Sequence, residues 1–580
     1  MAKQNKQLDK FAIAAALQEI AALMELKGGT NKFKARAYNA GARSIAGVSG
    51  DLGDLVEEDR LTTLPGIGNA LATQIKQLYL TGESSVLKAL RQEFPPGIIE
   101  LSGVPGLSVA KIKQLHEGLG ISSIEELKGA AEAGRIRALK GFGQKTESKL
   151  LETLSDHAKR SRKPKRLHLH RALGTAEQVQ NYLSTARGLK KLSFAGSLRR
   201  WNETVGTIKL VASTNEPGLL LQHFLRFPLI VQTENHSQNR ATVVFAEGSR
   251  VSLVAVPPDE FAATLFAETG STAHVSKIAK LLSEGSATKR RGKTRQVELS
   301  EVDGDAEIYH ELGLPYITPE LREDTGEIEA ALKNKLPLDL IEISDIRGMV
   351  HCHTTYSDGK HSIEEMALAA EAMGMDYITI TDHSPTAFYA GGVELDRLQR
   401  QWEEIDQVQE KVKVKLLRGT ESDILANGAL DYPDKVLEMF DVIVASVHSR
   451  YKMDSEKMTR RVVTAMQQPV FKIWGHAQGR LIQSRPPFDC DMLHILDVIA
   501  ESNAAVEING DPFRLDMEPR WVREARKRKI KFVISVDAHS TRALHNVKYG
   551  VAMARRGWVR KGEVLNALPL PQFRKAVKPV

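Results

Sequence analysis

The stretch Met349-Val-His-Cys-His-Thr-Thr-Tyr-Ser-Asp-Gly359 sets the architecture of the last third of this chain. An apolar approach typical of a β-strand precedes it, and His351 and His353 stand two positions apart. Because side chains at positions i and i+2 of a strand share a face, both imidazoles can converge on one point. Two histidines on one strand are weak evidence alone, so the interpretation depends on what recurs later.

The same pattern, an apolar strand followed by a residue that can bind metal, recurs along the C-terminal region. These residues follow one another at intervals of about 30 positions, the length of one strand-plus-helix unit; they are His383, Glu421, His448, His476, Glu507 and Asp537. Helical periodicity fills the gaps, as in Ser362-Ile-Glu-Glu-Met-Ala-Leu-Ala-Ala. Seven such units predict a (β/α)7 parallel barrel, with functional residues at the C-terminal ends of the strands.

Histidines and carboxylates without a cysteine pair are typical of zinc, manganese or iron in an open catalytic site. The region from about residue 343 to 575 resembles the PHP (polymerase and histidinol phosphatase) domain. That resemblance implies a three-metal site with nine ligands: His351, His353, Asp358, His383, Glu421, His448, His476, Asp537 and His539. Cys352, between two of them, is expected to point into the core.

The resemblance to the PHP domain also implies metal-assisted hydrolysis of a phosphoester. Divalent ions would lower the pKa of a water molecule, and Glu421 is the candidate bridging carboxylate. His351 and Asp537 are predicted to be essential ligands. Arg480, in Gly475-His-Ala-Gln-Gly-Arg480, is predicted to bind the phosphate and the leaving oxygen.

The middle of the chain carries Leu192-Ser-Phe-Ala-Gly-Ser-Leu-Arg-Arg200, followed by Glu203-Thr-Val-Gly-Thr-Ile-Lys-Leu-Val-Ala212. These motifs resemble the palm of the family X DNA polymerases, and the resemblance extends from residue 8 to about 325. In that family, three aspartates hold two magnesium ions that drive nucleotide transfer. Palm first and PHP second is the order found in bacterial members of the family.

This chain departs from the polymerase pattern at all three aspartates. Thr207, Lys209 and Ser252 occupy the matching positions, so three carboxylates are replaced by two hydroxyls and an ammonium. Hydroxyls bind magnesium poorly and the lysine repels it, so magnesium and nucleotide transfer are not expected at the palm. Ser197 and Arg200 match residues that contact the incoming triphosphate, and they can still bind phosphate.

Three turns in the N-terminal region each precede a helix, and they contain Gly66 and Gly68, Gly106, and Gly141 and Gly143. They resemble helix-hairpin-helix elements, which bind DNA phosphates through backbone amides without reading sequence. Lys34 and Arg36, in a basic segment with aromatic residues, are further candidate DNA contacts. A lysine that forms a Schiff base in some family members is replaced by Gln74, so lyase activity is not expected.

Composition sets bounds on these interpretations. The chain has 580 residues, which predicts several domains, and 42% of its residues are hydrophobic. Two cysteines and the lack of a signal sequence or a long apolar run predict a cytoplasmic protein without a membrane span. The formal net charge of +8 is compatible with a polyanionic partner.

Taken together, the predicted fold class is multidomain α/β. The predicted domains are an N-terminal helix-hairpin-helix domain (1–90), a fingers-like helical domain (91–157), a degenerate palm (158–258), a thumb-like segment (259–325), a linker (326–342) and the PHP barrel (343–575). We expect a monomeric DNA repair protein at the nucleoid that hydrolyses 3′ ends of gapped or nicked DNA, as in base excision repair, with three manganese, zinc or iron ions.

Three alternatives stay open on the sequence. The chain could be an active DNA polymerase with PHP editing, although the missing aspartates argue against it. It could be a non-enzymatic DNA-binding scaffold with structural metals. It could also be a small-molecule phosphatase like other PHP proteins, which the glycine turns disfavour.

Overall fold

The computed structural model describes residues 10–27, 31–46, 52–64, 66–93, 101, 107, 109–139, 141–161, 166–245, 248–283 and 304–577. The chain forms two compact units, Met1–Lys165 and Arg166–Val580. Each unit is described by itself below. The predicted DNA contact Gly106 lies outside the described residues.

The first unit is helical where it is described. Its helices are Lys10–Lys27, Asn31–Ala46, Leu52–Glu57, Asn69–Thr81, Ser85–Glu93, Val109–Leu119, Ile124–Glu132 and Gln144–Ser161. Two apolar cores hold them together, one centred on residues such as Ile13, Leu17 and Ile75, the other on residues such as Leu115 and Leu127. The amphipathic spacing of these sequences explains the packing, because each helix buries one apolar face.

The second unit begins with a five-stranded sheet in the order β2-β4-β7-β6-β5 and a small antiparallel pair, β1 and β3. The strands are β1 (Leu167–His168), β2 (Leu189–Ala195), β3 (Thr204–Val205), β4 (Thr207–Thr214), β5 (Ile230–His236), β6 (Arg240–Phe245) and β7 (Arg250–Val256). The helices around them are Leu169–Leu183, Gly196–Arg199, Pro217–Phe224, Phe261–Thr269, Thr272–Ser283 and Ala306–Glu311. Strands β4 and β7 run parallel with Lys209 opposite Ser252.

The predicted seven-stranded parallel barrel is confirmed, and it is nearly closed. Strand order follows the chain, from β8 (Gly348–Met349), β9 (Tyr377–Ile380), β10 (Lys415–Asp423), β11 (Val442–Ser446) and β12 (Lys472–Trp474) to β13 (Ala504–Asn509) and β14 (Phe532–Ser535). A parallel bridge between Cys352 and Ala538 joins the segments that follow the first and last strands, β8 and β14. These strands are buried, as the continuous apolar runs in their sequences require.

Helices connect successive strands of the barrel and cover its outside. They are Ile363–Ala372, Leu395–Gln409, Asp434–Leu437, Ser455–Met466, Met492–Glu501, Pro519–Lys527, Val547–Arg556 and Leu570–Val577. The helix Ile363–Ala372 begins with a capping box, in which Ser362 and Glu365 satisfy each other's backbone amides. Strand-to-helix alternation of this kind places the C-terminal strand ends at one mouth of the barrel.

Residues 326–342, predicted as a linker, are a packed part of this unit. They include the helix Glu327–Leu332, in which Glu327 and Ile328 are buried. Leu340 forms an antiparallel bridge with Arg560 of the barrel. The predicted linker is therefore a folded connection. Separately, no helix in the described part of the chain has the length and hydropathy to cross a membrane.

Candidate metal centre

Backbone pairing fixes His351 and His353 at the mouth of the barrel. The His353 amide donates to the carbonyl of Ala538 at 2.8 Å, and the Ala538 amide donates to the carbonyl of His351 at 2.9 Å. The extended segment therefore runs beside β14, with both imidazoles on one side. Cys352, between them, packs in the apolar core, as expected.

All nine predicted metal ligands are brought together at this mouth. Three overlapping groups each place one potential ligand atom per residue within 4.8 Å of the others: His353, Asp358, His383 and His539; His351, His353, Glu421 and Asp537; His383, Glu421 and His448. His476 joins them through its Nε2, which lies 2.9 Å from Oε1 of Glu421. We refer to these nine residues as the ligand cluster.

Glu421 occupies the centre of the ligand cluster and is fully buried. Its Oε1 faces one set of imidazoles, at 3.3 Å from His351 Nε2 and 3.2 Å from His448 Nε2. Its Oε2 faces another, at 3.5 Å from His353 Nε2 and 3.0 Å from His383 Nδ1. The two oxygens of one carboxylate thus point to different groups of ligands, as a carboxylate that bridges two ions must.

Several buried polar atoms in the ligand cluster lack a hydrogen-bond partner among the described residues. They include Nε2 of His351, Nε2 of His353 and Oδ1 of Asp537. Unpaired buried polar groups cost several kcal/mol each, roughly, so native proteins rarely leave them without a purpose. Divalent cations would satisfy these atoms and balance the buried carboxylates, so the residues present fit a metal centre.

Electrostatics in the ligand cluster favours positive charge. Burial lowers the pKa of His351, but the carboxylates of Glu507, Glu421 and Asp537 outweigh burial and raise this pKa well above its ordinary value. Burial lowers the pKa of His476 to about 4, which keeps this imidazole neutral and able to bind a metal through a nitrogen lone pair.

Carboxylates behind the imidazoles orient the ligand cluster. Glu507 accepts hydrogen bonds from His351 Nδ1 at 2.7 Å and from the Ser535 hydroxyl at 2.6 Å. Asp423 accepts one from His448 Nδ1 at 2.6 Å. Each bond leaves Nε2 as the nitrogen that faces the centre and raises its basicity. The sequence pattern placed Glu507 at a strand end but did not reveal this role, and Asp423 was missed.

The backbone is strained at two of the ligands. His476 has φ +25° and Asp537 has φ +52°, in the region that favours glycine. Gly475, just before His476, allows close packing, because a Cβ there would lie 2.3 Å from the hydroxyl oxygen of Ser446. Strain of this kind collects at functional sites, where the surrounding structure holds a side chain in one required direction.

The prediction that Arg480 binds the substrate phosphate needs correction. Its guanidinium is buried and already bound within the protein. It donates to the carbonyls of Arg514 and Leu515 and pairs with Glu518 at 3.1 Å and with Glu203 of the palm at 2.8 Å. Arg480 thus anchors a loop and ties it to the palm. Sequence alone could not show this, because the partners lie far from Arg480 in the chain.

Arg514, which was not singled out from the sequence, lies at the ligand cluster. Its Nε lies 3.4 Å from Oδ2 of Asp537, and its Nη1 is buried without a hydrogen-bond partner among the described residues. Arg485, which stacks on Tyr451 with 4.0 Å between the guanidinium carbon and the ring centre, adds charge nearby. The only sequence signal for Arg514 was its place in the loop that follows β13.

The palm positions contrast with the ligand cluster. Lys209 Nζ lies 2.6 Å from Oε2 of Glu268, which also pairs with Arg240. Burial raises the pKa of Glu268, but these two cations outweigh it and hold the pKa below its ordinary value. Ser252, opposite Lys209, accepts a hydrogen bond from the Thr242 hydroxyl at 3.0 Å. In the described part of the chain, every group of at least three potential metal ligands lies in the barrel.

The two residues predicted to contact a triphosphate, Ser197 and Arg200, have different surroundings. Ser197 lies half-buried in the short helix Gly196–Arg199. Arg200 is engaged with other groups: its Nε donates to Glu323 at 2.9 Å and its Nη1 donates to the carbonyl of Thr269 at 2.6 Å. A triphosphate would therefore have to compete with a carboxylate for Arg200.

Two of the glycine turns share one geometry. Gly66 has φ +78° and Gly141 has φ +90°, conformations that favour glycine. In each turn the residue between the glycines, Ile67 or Phe142, is buried and donates to the carbonyl of a leucine, Leu64 or Leu139. Gly68 and Gly143 are exposed and begin the following helices.

The other predicted features of the N-terminal region have clear positions as well. Lys34 and Arg36 are exposed on the helix Asn31–Ala46. Gln74 is buried and accepts a hydrogen bond from the Ser84 hydroxyl at 2.7 Å. Lys76 is on the surface and pairs with Asp59 at 2.8 Å.

Family models match three segments of the chain. A PHP domain matches residues 350–511, a helix-hairpin-helix domain matches residues 9–84, and a SAM-like helix-hairpin-helix tandem matches residues 98–156. The PHP match contains most of the ligand cluster, and the other two contain the glycine turns.

Among curated proteins, the chain is 34% identical over 577 residues to the DNA polymerase/3′-5′ exonuclease PolX of Bacillus subtilis, covering 98% of this chain and 100% of that protein. A probable phosphatase of Caldanaerobacter subterraneus is 28% identical over 33% of this chain and 74% of its own length. A probable phosphatase of Clostridium acetobutylicum is 24% identical over 34% of this chain and 80% of its own length.

Proposed function

The chain belongs to the family of the DNA polymerase/3′-5′ exonuclease PolX, and we propose that it hydrolyses phosphoesters at the 3′ ends of DNA with its barrel alone. The observation that carries this proposal is the ligand cluster, which converges on Glu421 and in which Nε2 of His351, Nε2 of His353 and Oδ1 of Asp537 are buried without a hydrogen-bond partner among the described residues. The chain is then a DNA repair exonuclease or 3′-end phosphatase, and the palm does not transfer nucleotides.

The ligand cluster would hold three divalent ions, manganese or zinc with iron as a further option, because imidazoles and carboxylates suit these metals. Such ions acidify water and neutralise phosphate charge. Glu421, with an oxygen toward each set of imidazoles, would hold two of them together. Glu507 and Asp423 hold Nδ1 of His351 and of His448, which directs Nε2 of each ring toward the centre for binding.

Arg514 would bind the scissile phosphate. Its Nη1 has no hydrogen-bond partner among the described residues and its Nε lies 3.4 Å from Oδ2 of Asp537, so a phosphate oxygen at the ligand cluster would complete its hydrogen bonds. A planar guanidinium suits this task, since it can donate two parallel bonds to a phosphate. Arg480 would act indirectly, because it holds the carbonyl of Arg514 at 3.0 Å.

The palm would have a structural role. Lys209 and Arg240 neutralise Glu268, so the face that carries the catalytic aspartates in the family has no charge left for magnesium. The exposed turns at Gly68 and Gly143 would hold DNA by its phosphates through helix N-terminal amides, with Lys34 and Arg36 adding charge. Gapped or nicked duplexes with a 3′ end are the proposed substrates, and a monomer at the nucleoid the proposed state.

The test is digestion of a 3′-labelled gapped duplex with manganese. The His351→Ala/His353→Ala double variant should lose hydrolysis and still bind DNA in a gel-shift assay. His494→Ala changes an exposed histidine on a helix outside the ligand cluster, so it should behave as wild type. Hydrolysis retained by the double variant would refute the assignment, and nucleotide incorporation above background would refute the loss of polymerase activity.

A small-molecule phosphatase is the second candidate, because the probable phosphatases cited above align with about a third of this chain. Hydrolysis of p-nitrophenyl phosphate should be inhibited by gapped DNA if the barrel is specialised for DNA ends. Activity on the small ester that DNA does not inhibit would favour the phosphatase.

A further inference from the structure

An aromatic pair stands beside the ligand cluster. Phe388 and Tyr389 lie in the loop of residues 384–393, which directly follows His383. Their side chains are 85% and 60% exposed, and Phe388 is the most exposed large apolar residue in the described part of the chain. The Tyr389 ring centre lies 6.4 Å from that of His383 and 6.1 Å from that of Phe388.

The loop that carries this pair is rigidly held. Its end is tied to the metal-ligand segment, because the Val393 amide donates to the carbonyl of His383 at 2.8 Å. Thr386 donates to Asp431 at 2.7 Å, and Arg397 donates to the carbonyl of Gly391 at 3.0 Å. At Gly392 a Cβ would lie 2.1 Å from the carbonyl oxygen of Ser384, so the loop closes tightly on itself.

A rigid loop that displays two aromatic rings differs from a mobile surface loop. Single exposed apolar residues are common and need no explanation. Two adjacent rings, however, leave a large apolar area in water while the small residue before them, Ala387, fills the buried position. The arrangement keeps the rings presented outward at a fixed distance from the catalytic imidazoles.

We propose that Phe388 and Tyr389 form a stacking site for the base of the 3′-terminal nucleotide whose phosphate lies at the ligand cluster; this inference rests on the proposed function. Three features of the mouth support that occupant. In the proposed function the ligand cluster and Arg514 bind a phosphate, the Tyr389 ring centre lies 6.4 Å from that of His383, and every base offers a π-face regardless of sequence. The guanidinium of Arg485, which stacks on the Tyr451 ring, adds positive charge near Arg514.

Stacking selects a strand that is single at its end, because a paired base is already stacked and covered. The site would therefore favour unpaired 3′ nucleotides over fully paired ends, and nucleotides over small phosphate esters. Because the base is bound equally in the ground state and the transition state, the site should act on KM more than on kcat.

The experiment compares the Phe388→Ala/Tyr389→Ala variant with the swap variant Phe388→Tyr/Tyr389→Phe, which keeps both rings. The substrates are two single strands that differ only in whether the 3′ residue carries a base or is a tetrahydrofuran abasic analogue. Loss of stacking should lower kcat/KM on the base-bearing strand by about 10- to 100-fold. It should leave the abasic strand unchanged, and the swap variant should match wild type.

Binding provides a second readout that needs no hydrolysis. A strand with 3′-terminal 2-aminopurine joined by a phosphorothioate should lose fluorescence on wild-type protein, with manganese or with EDTA, and keep it on the double alanine variant. Equal quenching by both proteins, or equal loss on both substrates, would overturn the stacking site. The stacking site would also be overturned if the wild-type protein were a dimer and the double variant a monomer, with equal quenching in both. A second copy of the chain would then cover the rings.

The two proposals fail separately. If no metal supports hydrolysis but wild-type quenching exceeds that of the double variant, the proposed function fails and the stacking site stands. If hydrolysis is robust but indifferent to the rings, the reverse holds. Met439→Ala, which removes a 60% exposed apolar side chain outside the loop, controls for nonspecific surface effects.

Discussion

The palm and the mouth of the barrel lie in the same compact unit and treat buried charge in opposite ways. At the palm, Glu268 finds two cations within the protein, Lys209 and Arg240, and Ser252 is paired with Thr242. At the barrel mouth, Glu421 and Asp537 meet the imidazoles of His351 and His353, whose Nε2 atoms have no hydrogen-bond partner in the described structure. The first site compensates its charges with its own side chains, whereas the second has ligand atoms that could hold cations.

This difference suggests a criterion for which of two possible metal sites keeps the capacity to bind metal. Loss of ligands alone is a weak criterion, because a site can be rebuilt with other residues. A stronger criterion is that side chains of the protein itself compensate the charges at the site. Lys209 stands in place of a carboxylate, and its ammonium also neutralises Glu268. A site that has become satisfied by its own side chains has no remaining electrostatic reason to bind metal.

The same substitution placed in both sites should separate them most widely. Glu421→Gln should lower hydrolysis by about 10³-fold, because metal catalysis supplies several kcal/mol and each 1.36 kcal/mol is tenfold. Glu268→Gln should leave the hydrolytic rate within about twofold of wild type. Steady-state rates on a 3′-labelled duplex, at saturating manganese, measure both. Similar losses in the two variants would abolish the distinction between the sites.

Removal of Arg514 tests whether the barrel mouth binds phosphate through an unpaired guanidinium. A hydrogen bond to a charged group contributes about 1.5–3 kcal/mol, so Arg514→Met should reduce kcat/KM by roughly 10- to 150-fold. Arg514→Lys should recover only part, because an ammonium lacks the planar fork. Arg485→Met is the matched control, and a larger loss there than at Arg514 would reassign the phosphate contact.

The orienting carboxylate gives the next smaller effect. Glu507→Gln leaves the size of the side chain but weakens its hold on His351 Nδ1, which now lies 2.7 Å away. Metal affinity and activity should fall by about 10- to 100-fold. Isothermal titration of the metal-free protein with manganese gives the affinity directly. Unchanged affinity would mean that His351 is held by packing alone.

Short-range rules predicted the barrel and most of the ligand cluster, whereas the full set of nine, with Asp358 and His539, came from the resemblance to the PHP domain. Alternation puts His351 and His353 on one side, and the regular spacing of strand ends brings His383, Glu421 and Asp537 to one mouth. The closing bridge between Cys352 and Ala538 follows from the same strand order.

The different surroundings of Arg480 and Arg514 could not be predicted. Both residues lie in loops after barrel strands, and either could point inward. Contact with Glu203, which is distant in sequence, decides that Arg480 turns away. Likewise, whether Glu507 binds metal or supports His351 depends on a few ångströms of depth that periodicity does not encode. The ion pair between Lys209 and Glu268 could not be predicted either, because no local motif links the two residues.

The smallest expected effect tests the satisfied character of the palm. Lys209→Met removes a partly exposed partner of Glu268, so it should cost less than about 1 kcal/mol of unfolding free energy and leave hydrolysis unchanged. The cations hold the pKa of Glu268 below its ordinary value of 4.5. The ion pair therefore stabilises above that value and is lost as pH falls through the lower, folded-state pKa. The free energy of unfolding in urea should differ less between pH 7 and pH 4 in the variant than in wild type. A larger difference in the variant would mean that Lys209 does not stabilise the Glu268 carboxylate.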